Sequence, residues 1–139
     1  MLCSRIIGGE MVKNKIKGNI VNIASDLSVI APNQNIYKSG KGNFVKPVTY
    51  SVIKHGIVGL TKYLSTYWAE KNIKVNSLSP GSVLHDQPKE LQKNLKKLIP
   101  MNRLAKKNEY MGAIKFLCSN DSDYMTGQNL VIDGGRSVW

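Results

Sequence analysis

Tyr50 and Lys54, in the stretch VTYSVIK at residues 48–54, stand four residues apart at the start of a long apolar helical pattern. On a helix, residues i and i+4 are neighbours on one face. A phenol titrates near pH ~10 and transfers protons poorly at neutrality unless a cation stabilises its phenolate. A lysine one turn away supplies that cation and can also donate hydrogen bonds to a bound hydroxyl. The plain alternative is a solvated helix face, and Tyr-x-x-x-Lys spacing alone does not separate the two. A small hydroxyl donor beside the pair would polarise a substrate carbonyl. Ser25 fits that role because it ends a short apolar run, KGNIVNIAS, that reads as a strand. In open parallel sheets, ligands bind beyond the C-terminal ends of the strands. Ser28 is the competing hydroxyl. SPGSV, at 79–83, follows a second strand pattern and reaches the same rim.

The elements that must carry these residues follow from periodicity. Residues 1–16 place Leu2, Ile6, Ile7, Met11 and Val12 at helical spacing. Strand patterns occupy 17–25, 72–80 and 125–135, and helical patterns occupy 48–71, part of 82–106, and 107–118. A polar stretch at 26–47 contains Pro32, Gly40, Gly42 and Pro47; a connection of that length in a compact domain is usually functional or mobile. Strands separated by helices predict an α/β fold with parallel pairing and right-handed crossovers. On the helix at 48–71, Ile53, Ile57, Leu60 and Leu64 form a stripe expected to cover the sheet. Val52, Gly56, Gly59, Tyr63 and Tyr67 form a second, weakly polar sector beside it. Two such sectors predict packing against both the sheet and another subunit, hence a homo-oligomer; the plain alternative is that the chain's own first helix covers the second sector.

Composition limits the function classes. The 139 residues are 42% apolar, which suits one domain, 1–139, with its own core. No run of apolar residues is long enough to span a membrane, and no basic segment precedes an apolar signal sequence. Cys3 and Cys118 lack metal-ligand spacing and read as reduced thiols of a cytoplasmic protein, with no metal site. A net charge of +11 invites a nucleic-acid reading, which a steep salt dependence of binding would reveal. The lysines are scattered, however, and no aromatic residues interleave with them as a stacking platform. A solvated lysine-rich surface accounts for the charge better. His55 and His85 have no partner pattern and read as surface residues.

A strand ending NIAS, then Tyr50-x-x-x-Lys54, then KVNSLSPG, then YMTGQNLVIDGG occur in this order. Together they resemble the C-terminal portion of the short-chain dehydrogenase/reductase family, over nearly the whole chain. The resemblance implies a partial Rossmann-like doubly wound parallel sheet, the last three strands with flanking helices. It implies NAD- or NADP-dependent hydride transfer between a nicotinamide and a small carbonyl compound or secondary alcohol. Tyr50 would be the general acid/base, Lys54 would hold the nicotinamide ribose, and Ser25 would bind the reacting carbonyl or hydroxyl. Pro80, Gly81 and the backbone of Val83 would cradle the nicotinamide, and residues 84–106 would form the variable substrate-binding segment.

Two departures accompany the resemblance. The interval from Ser25 to Tyr50 is longer than the family's usual one, and the extra residues could form a lid or shape substrate choice. The family's glycine-rich phosphate-binding turn is not found: Gly8-Gly9 sits in a helical pattern without a preceding strand, and Gly40/Gly42 has no following helix start. The chain is therefore expected to be truncated, starting within the helix before the serine strand, and to bind cofactor weakly by itself. A non-catalytic remnant serving as an oligomerisation or interaction module is the competing expectation.

Overall fold

In β1, Gly18–Ile23, isoleucine and valine alternate with asparagine, and in β4, Ile73–Pro80, apolar residues and serines are buried almost throughout. Those patterns put β4 in the middle and β1 at one side of a three-stranded sheet of order β1-β4-β5, where β5 is Asn129–Ile132. Both pairings are parallel, with Ile20 opposite Val75 and Leu78 opposite Leu130. The computed structural model describes residues 2–39 and 42–139. Met1, Gly40 and Lys41 lie outside the described residues, and with them the expected chain start and half of the Gly40/Gly42 pair.

Two longer helices flank this sheet, α1 at Leu2–Lys13 and α2 at Val48–Tyr67, while α3 at Lys89–Lys97 packs on the turn Gln34–Tyr37. A shorter one, α4 at Met111–Cys118, packs on β1 and β4. The helical pattern at 107–118 thus resolves into a 3-10 turn at Lys107–Tyr110 followed by α4. Between β1 and α2 the chain forms two 3-10 turns and a short antiparallel pair, β2 at Lys38–Ser39 with β3 at Gly42–Asn43. Asn72 takes the left-handed conformation that turns the chain from α2 into β4, a conformation asparagine tolerates better than most residues. The last strand is shorter than its sequence pattern because Gly127 and Gly134, both at positive φ, turn the chain at its two ends.

One core cluster joins Leu64 and Trp68 at the end of α2 to Ile73 and Val75 of β4, with Met11 and Val12 of α1 against it. Gly8 lets α1 approach this closely: a Cβ there would stand 2.0 Å from the Trp68 ring. A second cluster joins Ile36, Leu95 and Leu104, with Tyr37, Leu91 and Leu98 against them. That cluster fastens the segment before α2 to α3.

Helix α2 meets the sequence expectation in part: Leu64 is buried and Leu60 packs with it against Ile73 and Val75 of β4. The buried residues of α2 are Thr61, Leu64 and Ser65, whereas Ile53 is 58% exposed. Lys54, one residue on, points to the sheet instead and donates to the Ile23 carbonyl at 3.1 Å. Small hydroxyl residues suit the inner side because they let the helix lie close while finding polar partners. Asn22 Nδ2, for example, donates to Thr61 Oγ1 at 2.9 Å. Among the described residues, no helix is long and apolar enough to cross a membrane, and no cluster of metal-ligating side chains occurs.

Candidate active site

The C-terminal ends of β1 and β4 and the first turns of α2 converge on one rim of the sheet. Ser25 leaves β1 in extended conformation and caps the 3-10 turn Asp26–Ser28, accepting the Leu27 N–H at 3.2 Å. The Tyr50 hydroxyl donates to Ser25 Oγ at 3.4 Å, and Ser25 Oγ donates to Asp26 Oδ1 at 2.9 Å. Ser28 turns away: its hydroxyl bonds Ser79 Oγ at 2.9 Å in the interior. The geometry therefore joins Ser25, not Ser28, to the phenol. Two ammonium groups flank the Tyr50 ring, Lys46 at 3.9 Å and Lys54 at 5.8 Å from its centroid.

Behind the serine lies a buried ion pair that no sequence pattern singled out. Arg136 Nη1 donates to Asp26 Oδ2 at 2.8 Å, and both side chains are about 5% exposed. Desolvation makes such a pair a poor source of net stability, yet removing one partner alone is costly. Its effect here is positional: Asp26 has one oxygen fixed by Arg136, and the other orients the Ser25 hydroxyl. The only available signal was an aspartate just after an apolar strand and an arginine just after the DGG turn.

The remaining expected residues lie on the same rim. Pro80 ends β4, and the Gly81 N–H donates to Ile132 O at 2.8 Å. A Cβ at Gly81 would stand 2.7 Å from the Asp133 Cα, so close approach of the two chain segments requires glycine. The DGG turn itself is held by Asp133, whose carboxylate accepts from the N–H groups of Gly135 and Ser137. Val83 pairs with Ala105 through a single parallel bridge in which Leu84 N–H and Ser82 O are used. Among the described residues the Val83 N–H itself has no intrachain acceptor. Tyr110 donates to the Gly81 carbonyl at 3.4 Å, and burial raises the pKa of that phenol.

These groups surround a cavity of about 280 Å³ lined by Ser25, Tyr37, Lys46, Tyr50, Val83 and Arg136, among others. Burial raises the pKa of Tyr37 despite the opposing influence of Arg136. Burial likewise lowers that of Lys46, against the pull of Asp26. A larger cavity of about 810 Å³ opens at the other end of the strands, near Gly18, Ile73 and Tyr124. It holds the Lys74–Asp123 ion pair but no phenol–hydroxyl pair, so size and chemistry part company, and the chemistry marks the smaller cavity. His55 and His85 are exposed, as expected.

Over residues 1–137 the chain matches a family model described as enoyl-(acyl carrier protein) reductase. It is 37% identical to the NAD-dependent glycerol dehydrogenase of Listeria innocua, over 99% of this chain and 51% of that protein. It is 33% identical to the D-arabinitol 2-dehydrogenase of Scheffersomyces stipitis, over 98% of this chain and 48% of that protein. The crystal structure of a short chain dehydrogenase from Leptospira borgpetersenii with bound NAD+ superposes with a TM-score of 0.90 at 34% identity. That superposition covers 99% of this chain and 51% of the other. The chain spans about half the length of the curated relatives it matches.

Proposed function

The chain belongs to the short-chain dehydrogenase/reductase family, and from that premise we propose that it is the proton-transferring, substrate-binding half of an NAD- or NADP-dependent oxidoreductase. The observation that carries this reading is the Tyr50–Ser25 hydrogen bond, with two ammonium groups near the phenol ring. These groups come from separate segments and meet where open parallel sheets bind ligands. Tyr50, Lys54 and Ser25 are the catalytic residues of the proposal. Pro80, Gly81 and Val83, with Tyr50 and Lys54, form its nicotinamide end.

The residues present fit that end of the cofactor. A Val83 N–H without an intrachain acceptor suits a carboxamide oxygen, and the Lys54 ammonium at the rim suits ribose hydroxyls. When bound, the nicotinamide supplies the acceptor or donor of hydride. This chain's own residues then manage the proton. In the oxidative direction, Tyr50 Oη as phenolate takes the proton from the substrate hydroxyl; in the reductive direction it returns one to the carbonyl oxygen. Both ammonium groups stabilise negative charge on Oη as that proton moves. Ser25 Oγ, its own proton directed to Asp26, offers lone pairs to a reacting hydroxyl and can turn its proton to a carbonyl.

Relatives named for glycerol and D-arabinitol support small secondary alcohols and their carbonyl counterparts as the substrate class. The exposed apolar side of α2, and the exposed Leu2, Ile6 and Ile7 of α1, support a homo-oligomer. Exposed, unpaired Cys3 and Cys118 are compatible with a reducing cytoplasm. The test is a turnover assay on the chain completed by a cofactor-binding half, following nicotinamide absorbance with a panel of polyols, hydroxy acids and 3-oxoacyl thioesters. Absence of turnover with every member would sink the oxidoreductase reading and favour an interaction module.

A further inference from the structure

Between Ser25 and Tyr50, residues 33–37 and Lys46 are fastened to the rest of the fold. Asn33 caps the turn Gln34–Tyr37, and Ile36 is buried against Leu95 and Leu104. Gln34 grips the backbone of Lys46 from both sides: its Nε2 donates to Lys46 O at 3.3 Å, and its Oε1 accepts from Lys46 N–H at 2.9 Å. That grip delivers the Lys46 ammonium to the Tyr50 ring face, 3.9 Å from the centroid, with the Tyr37 ring at 6.0 Å.

Lys46 is a cation without an anion. No carboxylate forms an ion pair with it among the described residues. Asp26, the buried carboxylate of this cavity, is already engaged by Arg136 and Ser25. Lys46 and Lys54 thus stand near the phenol, and the one carboxylate of the cavity, Asp26, is matched by Arg136. Partial burial without a counter-charge disfavours an ammonium, consistent with the lowered pKa of Lys46. A lysine serving only to brace a tyrosine face would not need a backbone clamp that holds it at the mouth of a cavity.

We propose that Lys46 is a substrate-recognition residue that binds an acid group, a carboxylate or phosphate, carried close to the reacting carbon of the alcohol or carbonyl substrate. The assignment of that acid as substrate rests on the dehydrogenase reading; the binding site itself does not. The neighbouring Tyr50 hydroxyl receives the reacting oxygen while Lys46 holds the acid group, which fixes the direction in which the substrate enters. The inserted segment is in these terms a specificity element, and it has no need to move to act.

The test is an NMR titration of the 139-residue chain with malonate and, separately, inorganic phosphate, at constant ionic strength and with glycerol as neutral control. At least one anion should give saturable shifts at Tyr37, Lys46 and Tyr50, whereas any shifts with glycerol should be unaffected by Lys46→Met; whichever anion binds tighter names the acid. Lys46→Met should weaken that binding about tenfold, the loss expected for one charge-assisted hydrogen bond, while Lys46→Arg retains it. Thermal unfolding of both variants checks that the fold survives. Unsaturable shifts with both anions, or undiminished binding by a folded Lys46→Met, would overturn the proposal. Acid binding without turnover in the completed protein would sink the dehydrogenase reading instead, and turnover of neutral alcohols without acid binding would sink only this one.

Discussion

The inner and outer sides of α2 belong to one helix, yet the rest of the chain treats them oppositely. On the inner side, Tyr50, Lys54, Thr61 and Ser65 each hold a polar partner, and two of these residues are fully covered. On the outer side, Val52, Ile53, Tyr63 and Tyr67 are each more than half exposed, and nothing approaches Gly56 or Gly59 within 4 Å. Around Leu60 and Leu64 the inner side thus carries polar groups while the outer side is largely apolar, a partial inversion of the usual surface helix. The inversion makes sense if each side has its own task. Chemistry needs polar groups organised where water is partly excluded. A large exposed apolar patch needs a partner surface, since isolated monomers rarely carry one.

The largest expected effect breaks the inner side. Tyr50→Phe, in the chain completed by a cofactor-binding half, should lower turnover by roughly 10²–10⁴-fold, the worth of a general acid/base. Cofactor affinity, read by fluorescence titration, should change little, because Lys54 and the Val83 backbone are left intact. Retained turnover removes Tyr50 from the mechanism. Next is Arg136→Ala, which strands the buried Asp26 carboxylate and should cost about 3–5 kcal/mol in urea unfolding. The double variant Asp26→Asn with Arg136→Ala should lose less than the sum of the two single changes; strict additivity would mean that the pair is uncoupled.

The outer side is tested by assembly. Gly59→Arg should shift the protein toward smaller species in light scattering at micromolar concentration, whereas Ile57→Val should not. A wild-type protein that is already a clean monomer contradicts the interface assigned to that side. The smallest effect lies away from both sides. Glu109 accepts two hydrogen bonds from Arg103 and one from the Lys106 N–H, which lowers its pKa from 4.5 to about 2. A carboxylate with a depressed folded-state pKa stabilises the fold above its ordinary value, and that stabilisation is lost as pH falls from 4.5 toward about 2. Glu109→Gln should flatten the acid limb of the stability curve over that window while leaving anion binding at Lys46 unchanged. An unaltered acid limb would assign it to other carboxylates.

Much of the architecture was legible in the sequence because it depends on local period. Ile and Val runs bounded by Gly, Asn and Pro mark β1 and β4, and the apolar repeat marks α2, each within a few residues of its observed limits. The Tyr50–Lys54 pair was legible for the same reason, since one helical turn fixes their proximity. The facing of the first turns of α2 was not. The stripe Ile53, Ile57, Leu60 and Leu64 meets the core at Leu60 and Leu64, but Ile53 is exposed and Lys54 turns to the sheet instead. Residue type alone did not distinguish Ser25 from Ser28 either; only the turn that aims one at Tyr50 and the other at Ser79 separates them.

By itself, then, the sequence determined the strands and helices, the pairing of a phenol with an ammonium one turn away, and the rim on which both lie. These are consequences of short-range geometry, where a repeat of two or 3.6 residues puts side chains on known faces. Tertiary structure alone decided that Asp26 meets Arg136 across 110 residues, that Gln34 holds Lys46 over the Tyr50 ring, and that Ile53 is left outside. Those contacts depend on where distant segments cross after the chain has packed. A charged residue's partner is fixed by that crossing and by the cost of burying it alone, and neither is written into its sequence neighbours.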